Sequence, residues 1–188
     1  MWGKDNIDGL SDTEVLIEIE KLTHQQVHFW RNAGGWAPVS AAALLDRSML
    51  DWQASLATSL KQWVDRESDG DLILAWANLG SLAEGAMKLM LAVFYEDYVK
   101  DQHAPRRHSD QTLIEPDELM LGKLCAFFGK RIWEAGSDHA KYLTEVMERR
   151  NAIHAFKKRE IGTFVEFKVA TRQHLRTLRY IDARLPYP

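Results

Sequence analysis

Between Glu145 and Gly162 the chain reads EVMERRNAIHAFKKREIG. At 3.6 residues per turn, Tyr142, Leu143, Val146, Met147 and Ile153 form one apolar arc of a helix. Arg150 falls in the middle of that arc and His154 between Leu143 and Met147. Arg149 stands at the border beside Tyr142 and Ile153, and Asn151 just past the edge. A guanidinium turned towards a core needs a carboxylate, a phosphate or a cleft. A histidine titrating near neutrality can take a proton from a ribose 2′-OH or return one to the leaving oxygen. An arginine can grip the phosphate with two hydrogen bonds and stabilise the charge that develops on it. Helical residues four apart have Cβ atoms about 5–6 Å from each other, so Arg150 and His154 can reach one phosphate, with Asn151 orienting substrate or imidazole. The chemistry that suits these four residues is phosphodiester cleavage without a metal ion. The structural alternative is that the arginines pair with Glu84 or Glu148, or extend their stems to water.

Helical periodicity runs nearly throughout the chain, with no persistent alternating strand pattern. Six helices are expected: Asp12 (as cap) to about Asn32, Ser40–Arg66, Asp71–Lys100, Asp117–Trp133, Asp138–Phe156 and Phe164–Leu185. NAGGWAP, ESDGD, EAGSD and KKREIG separate them, and residues 101–117 read as a long, charged, mobile loop. The expected fold is an all-α, up-and-down bundle in one domain of 188 residues.

The third segment is long and apolar enough to raise a bilayer span. Glu84 and Lys88 stand near its centre, where each charge costs roughly 2.5–3.5 kcal/mol on insertion scales, so it reads as the central helix of a bundle. Gly80, Ser81, Gly85 and Ala86 would let neighbouring helices approach closely. Glu84 and Lys88 can pair across one turn. Glu84 has two readings, an ion pair at a wet edge or an inward carboxylate that orients a cationic site residue.

The formal net charge is −3, unevenly spread. Residues 149–184 hold ten Lys and Arg against three acids, a net of +7, which leaves −10 for the rest. Lys168, Arg172, Arg176 and Arg179 form one stripe of the last helix, beside an apolar face of Phe164, Phe167, Leu175, Leu178 and Ile181. Solvated faces usually mix signs and this one has almost no acids, so a phosphate backbone is its expected partner, with Lys157, Lys158 and Arg159 adding to the same surface. His24 and His28 have zinc-compatible spacing, but Gln25 replaces the base of a metalloprotease helix and both face away from the Val15–Ile19–Leu22 stripe. No metal or cofactor is expected. Cys125 in LCAFF reads as a small core hydrophobe. The N-terminal residues lack the layout of a secretory signal, and a reducing, cytoplasmic setting is expected.

The segment at 149–154 resembles the signature of the HEPN superfamily (higher eukaryotes and prokaryotes nucleotide-binding domains), an Arg followed after four to six residues by His, often with a polar residue after the Arg. Arg149, RNAI and His154 match the spacing, whereas the Asn follows Arg150. Both arginines therefore carry over. LGSLAEGAMKLMLAVFYEDY resembles the long helix that precedes the motif helix in that family. The resemblance covers about 70–185, with 1–66 as added N-terminal helices. It implies a homodimer joining two motif helices around a basic cleft, and a metal-independent endoribonuclease of toxin–antitoxin or defence type. Arg149, Arg150, Asn151 and His154 would be catalytic, and an antitoxin is a possible partner. Phe156 stands where one branch carries a modifiable Tyr. The other reading is a non-catalytic RNA- or partner-binding module.

Overall fold

The structure is a computed structural model, and residues 6–154 and 156–187 are described. Among them are eight α-helices and no β-strand: α1 Asp12–Trp30, α2 Val39–Arg47, α3 Leu50–Ser59, α4 Asp69–Val93, α5 Tyr95–Lys100, α6 Leu121–Arg131, α7 Asp138–Arg150 and α8 Phe164–Asp182. Short 3-10 turns lie at Ile7–Gly9, Leu60–Trp63, Pro116–Glu118 and Asn151–His154. The all-α class agrees with the sequence reading, and the helix count differs where the backbone breaks inside expected helices.

The expected helix Ser40–Arg66 is interrupted at Ser48. Its backbone is extended (φ −79°, ψ 141°), and its hydroxyl donates back to the Leu44 carbonyl at 2.7 Å. A serine bonded to its own backbone offers the chain an alternative to the next helical turn. A second break falls at Phe94 (φ −97°, ψ 35°), which separates α4 from α5. Ser11, not Asp12, caps α1, in a reciprocal box with Glu14. That leaves the Asp12 carboxylate for another helix. The segment read as a mobile loop is fastened instead. Arg107 and Thr112 close it by N–H···O at 2.8 Å, Ile114 and Pro105 at 2.9 Å, and the Tyr98 hydroxyl donates to the Ile114 carbonyl at 2.6 Å.

Helix α4 runs through the middle and packs on α2, α3, α6, α7 and α8. Leu72, Trp76, Leu79, Leu82, Ala83 and Met87 are buried along it. Its small residues seat side chains. A Cβ on Gly80 would lie 2.7 Å from Arg150 Cδ, and one on Gly85 would lie 2.1 Å from the Gln53 side chain. Among the described residues no helix is long and apolar enough to cross a membrane.

Helices α7 and α8 meet at a buried polar pair. The Tyr142 hydroxyl lies 2.9 Å from His174 Nδ1, and His174 is 1% exposed. Burial holds the imidazole down to a pKa of about 4. An unfolded chain takes up a proton near pH 6.5, and the folded chain refuses it until about pH 4. Stability should therefore fall as pH falls through this window, by up to about 1.4 kcal/mol per pH unit from this group. His139, also held low by burial, acts in the same direction. Urea denaturation between about pH 7 and pH 5, above the carboxylate range, should show the slope, and His174→Gln should flatten it. A wild-type curve flat over that interval would contradict the account.

Candidate functional site

Ser137 caps the start of α7, accepting from the Ala140 N–H, and Tyr142, Leu143 and Val146 bury the helix against its neighbours. At the other end the α-helical winding stops at Arg150, and Asn151–His154 tightens into a 3-10 turn packed on α4. Three residues per turn in place of 3.6 carries His154 about 80° further round than an unbroken helix would. His154 therefore leaves the apolar arc on which the sequence reading placed it and is exposed. Asn151 is half-buried at the junction.

The two arginines part company. Arg149 turns to α8, where its Nη2 lies 2.8 Å from Glu166 and 3.0 Å from Glu145. Its side chain is 13% exposed, and its guanidinium lies over the Trp76 ring, 4.9 Å from the centroid. Trp76 in turn donates from Nε1 to the Ile161 carbonyl at 2.8 Å. Gly162 makes room for this arrangement. Its φ is +66°, and a Cβ there would lie 1.9 Å from Arg149 Nη1, so it meets both a backbone and a space requirement. The bond from Arg149 holds Glu166 below the usual carboxylate range, with Thr163 adding to it. Arg149 thus pins α7 to the start of α8, where Thr163 and Glu166 form a second capping box.

Arg150 turns to α4. Its Nη1 lies 2.6 Å from Glu84 Oε2, while Glu84 Oε1 lies 2.8 Å from Lys88. Burial pushes the Glu84 carboxyl up, but the bonds from Lys88 and Arg150 outweigh it and the pKa ends lowered. Glu84 therefore pairs with Lys88 and with Arg150 at once. The stem of Arg150 lies across Gly80, and its side chain remains 29% exposed. The arginine whose spacing to His154 fits the family resemblance is thus the one the fold engages most fully, and the three groups face three directions.

The basic stripe of α8 has intramolecular partners, which corrects its reading as a face without acids. Arg172 donates to Asp12 at 2.6 Å and to the carbonyls of Leu10 and Ile7 at 2.7 and 3.0 Å. Lys168 lies 3.6 Å from the same Asp12, Arg176 pairs with Asp8, and Arg179 lies 3.3 Å from Glu18. The missing acids come from α1 and the turn before it. Asp8 and Glu18 went unassigned in the sequence and Asp12 was read only as a helix cap, so the one trace of their pairing role was the −10 carried outside the basic segment. Trp76 and Glu166 also went unassigned. By contrast Lys157, Lys158 and Arg159 are exposed.

The other candidates are accounted for locally. His24 and His28 are exposed on α1, and His24 Nε2 lies 3.0 Å from the Thr58 hydroxyl. Among the described residues no group of three or more His, Cys, Asp or Glu side chains is placed to hold a metal ion. Burial lifts the Cys125 thiol to about 11, which keeps it protonated and unreactive. Comparison with protein-family models, curated proteins and solved structures finds no match.

Proposed function

We propose that this chain is an all-α RNA-binding protein that meets the phosphate backbone at the C-terminal end of α7 and the basic segment after it. The observation that carries this reading is the exposed run Lys157–Lys158–Arg159, close in sequence to exposed His154 and to the partly exposed Arg150. Once Asp8, Asp12 and Glu18 have engaged the α8 stripe, this segment holds the sequence's remaining concentration of positive charge. Binding of a single-stranded RNA should weaken as salt rises. Replacing Lys157, Lys158 and Arg159 with Ala should lower the log–log salt slope by about 2, at about 0.7 per lost contact, and weaken binding at least about tenfold. A folded triple variant with an unchanged slope would overturn the proposal.

A second reading, a metal-independent endoribonuclease, is favoured by one particular arrangement. Glu84 orients Arg150 without enclosing it, and an exposed histidine follows within one short turn. In that reading His154 is the acid and base for attack by the 2′-OH, and Arg150 rather than Arg149 binds the phosphate. Exposed Ile153 and Phe156 flank His154, which supports the two-fold partner the reading needs. An antitoxin partner and a cytoplasmic setting belong to it as well. Incubation with RNA in EDTA separates the readings. Products ending in 2′,3′-cyclic phosphate, lost in His154→Ala, support cleavage, and intact RNA leaves binding alone.

A further inference from the structure

A cleft of about 1000 Å³ lies between the N-terminal end of α7 and the last turns of α8, with His139, Gln173, Arg176, Tyr180 and Arg184 among its walls. The thirteen residues of α7 put it about 20 Å from the basic segment at the other end of that helix. Arg176, Arg179 and Arg184 line it together with Glu134 and Asp138; Arg179 is engaged by Glu18 at 3.3 Å, and Asp138 has its own partner in Lys141 at 3.3 Å.

The cleft is built before any ligand arrives. Arg184 stacks on the Tyr180 ring, its guanidinium carbon 3.3 Å from the centroid, and its Nη1 donates to the Tyr180 carbonyl at 3.0 Å. Among the described residues it pairs with no carboxylate. Arg176 holds Asp8, whose side chain is 81% exposed. A pair so open to water contributes little, and a stronger anion can replace that carboxylate. His139 is fixed through Nδ1 to the Thr177 hydroxyl at 2.9 Å and stacks on Trp133 with centroids 5.0 Å apart. Planar guanidinium donors suit a phosphate, and the neighbouring rings suit a flat organic group.

We infer that this cleft binds an aromatic phosphomonoester, with the phosphate between Arg184 and Arg176 and the ring beside His139. Its size lies at the upper end of small-molecule sites. The inference is independent of the RNA-binding reading, because it uses other residues at the other end of α7. Calorimetric titration of the full chain with AMP and with phenyl phosphate tests it, with adenosine, phenol and inorganic phosphate as controls. At least one of the two esters should bind saturably and more tightly than its separate halves. Arg184→Ala removes an exposed side chain, should leave the circular dichroism spectrum unchanged, and should weaken ester binding at least tenfold. The same variant should bind single-stranded RNA as the wild type does. Absence of saturable binding of both esters at millimolar concentration would overturn the inference, as would equal affinity in Arg184→Ala. Arg184-dependent binding of a 5′-phosphorylated RNA without binding of either ester would also overturn it, by assigning the cleft to RNA ends.

Discussion

Trp76→Ala is expected to destabilise the protein by about 3–5 kcal/mol, the usual cost of removing a large buried aromatic side chain. For a chain of this length that corresponds to a fall in Tm of roughly 6–20 °C. Trp76 is fully buried, meets Phe167 edge-on with centroids 5.3 Å apart, holds the Ile161 carbonyl and carries the Arg149 guanidinium. Its loss removes packing from α4 and α8 and a partner from each end of the basic segment. Trp76→Phe keeps most of the packing and loses the Nε1–H···O bond, so it should cost less, about 1–2 kcal/mol. RNA affinity measured on folded Trp76→Phe should fall as the segment loses its anchor at Ile161. Thermal and urea unfolding give the stability terms. A change in Trp76→Ala no larger than a surface substitution produces, within about 0.5 kcal/mol, would rule out this hub role.

Arg172→Ala should cost about 2–3 kcal/mol of stability and leave the salt dependence of RNA binding unchanged. The side chain satisfies two carbonyls and one carboxylate that otherwise have to find water, and bonds to a charged group contribute about 1.5–3 kcal/mol when partly shielded. The expected fall in Tm is roughly 4–12 °C. A double-mutant cycle with Asp12→Ala should show coupling of at least about 0.5 kcal/mol, as for groups sharing one network. The opposite pattern, unchanged stability with a salt slope lower by about 0.7, would return the stripe to the RNA surface.

The helical class was legible because it rests on local periodicity. Apolar residues at 3.6-residue spacing name the buried faces of α1, α7 and α8, and Val15, Ile19, Tyr142, Leu143, Phe167 and Leu178 are all buried. The breaks at Ser48 and Phe94 were not legible, because helical periodicity reads on through both positions, and at Ser48 the break rests on a side-chain bond back to the Leu44 carbonyl. The presence of an unusual polar cluster on α7 was also legible, as was a contact between Glu84 and Arg150 as one alternative. The geometry of that cluster was not. A wheel assumes constant winding, and the change to a 3-10 turn after Arg150 moves His154 off the face assigned to it.

The sequence by itself determined the all-α class, the identity of the central helix α4 and the concentration of positive charge between residues 149 and 184. Only the tertiary structure decided which of those charges are engaged. Arg150 meets Glu84, 66 residues away, and Arg172 meets Asp12, 160 residues away. Helical spacing reaches about one turn along a single element, whereas the partner of a cation is set by which helix the packing of the core brings alongside it.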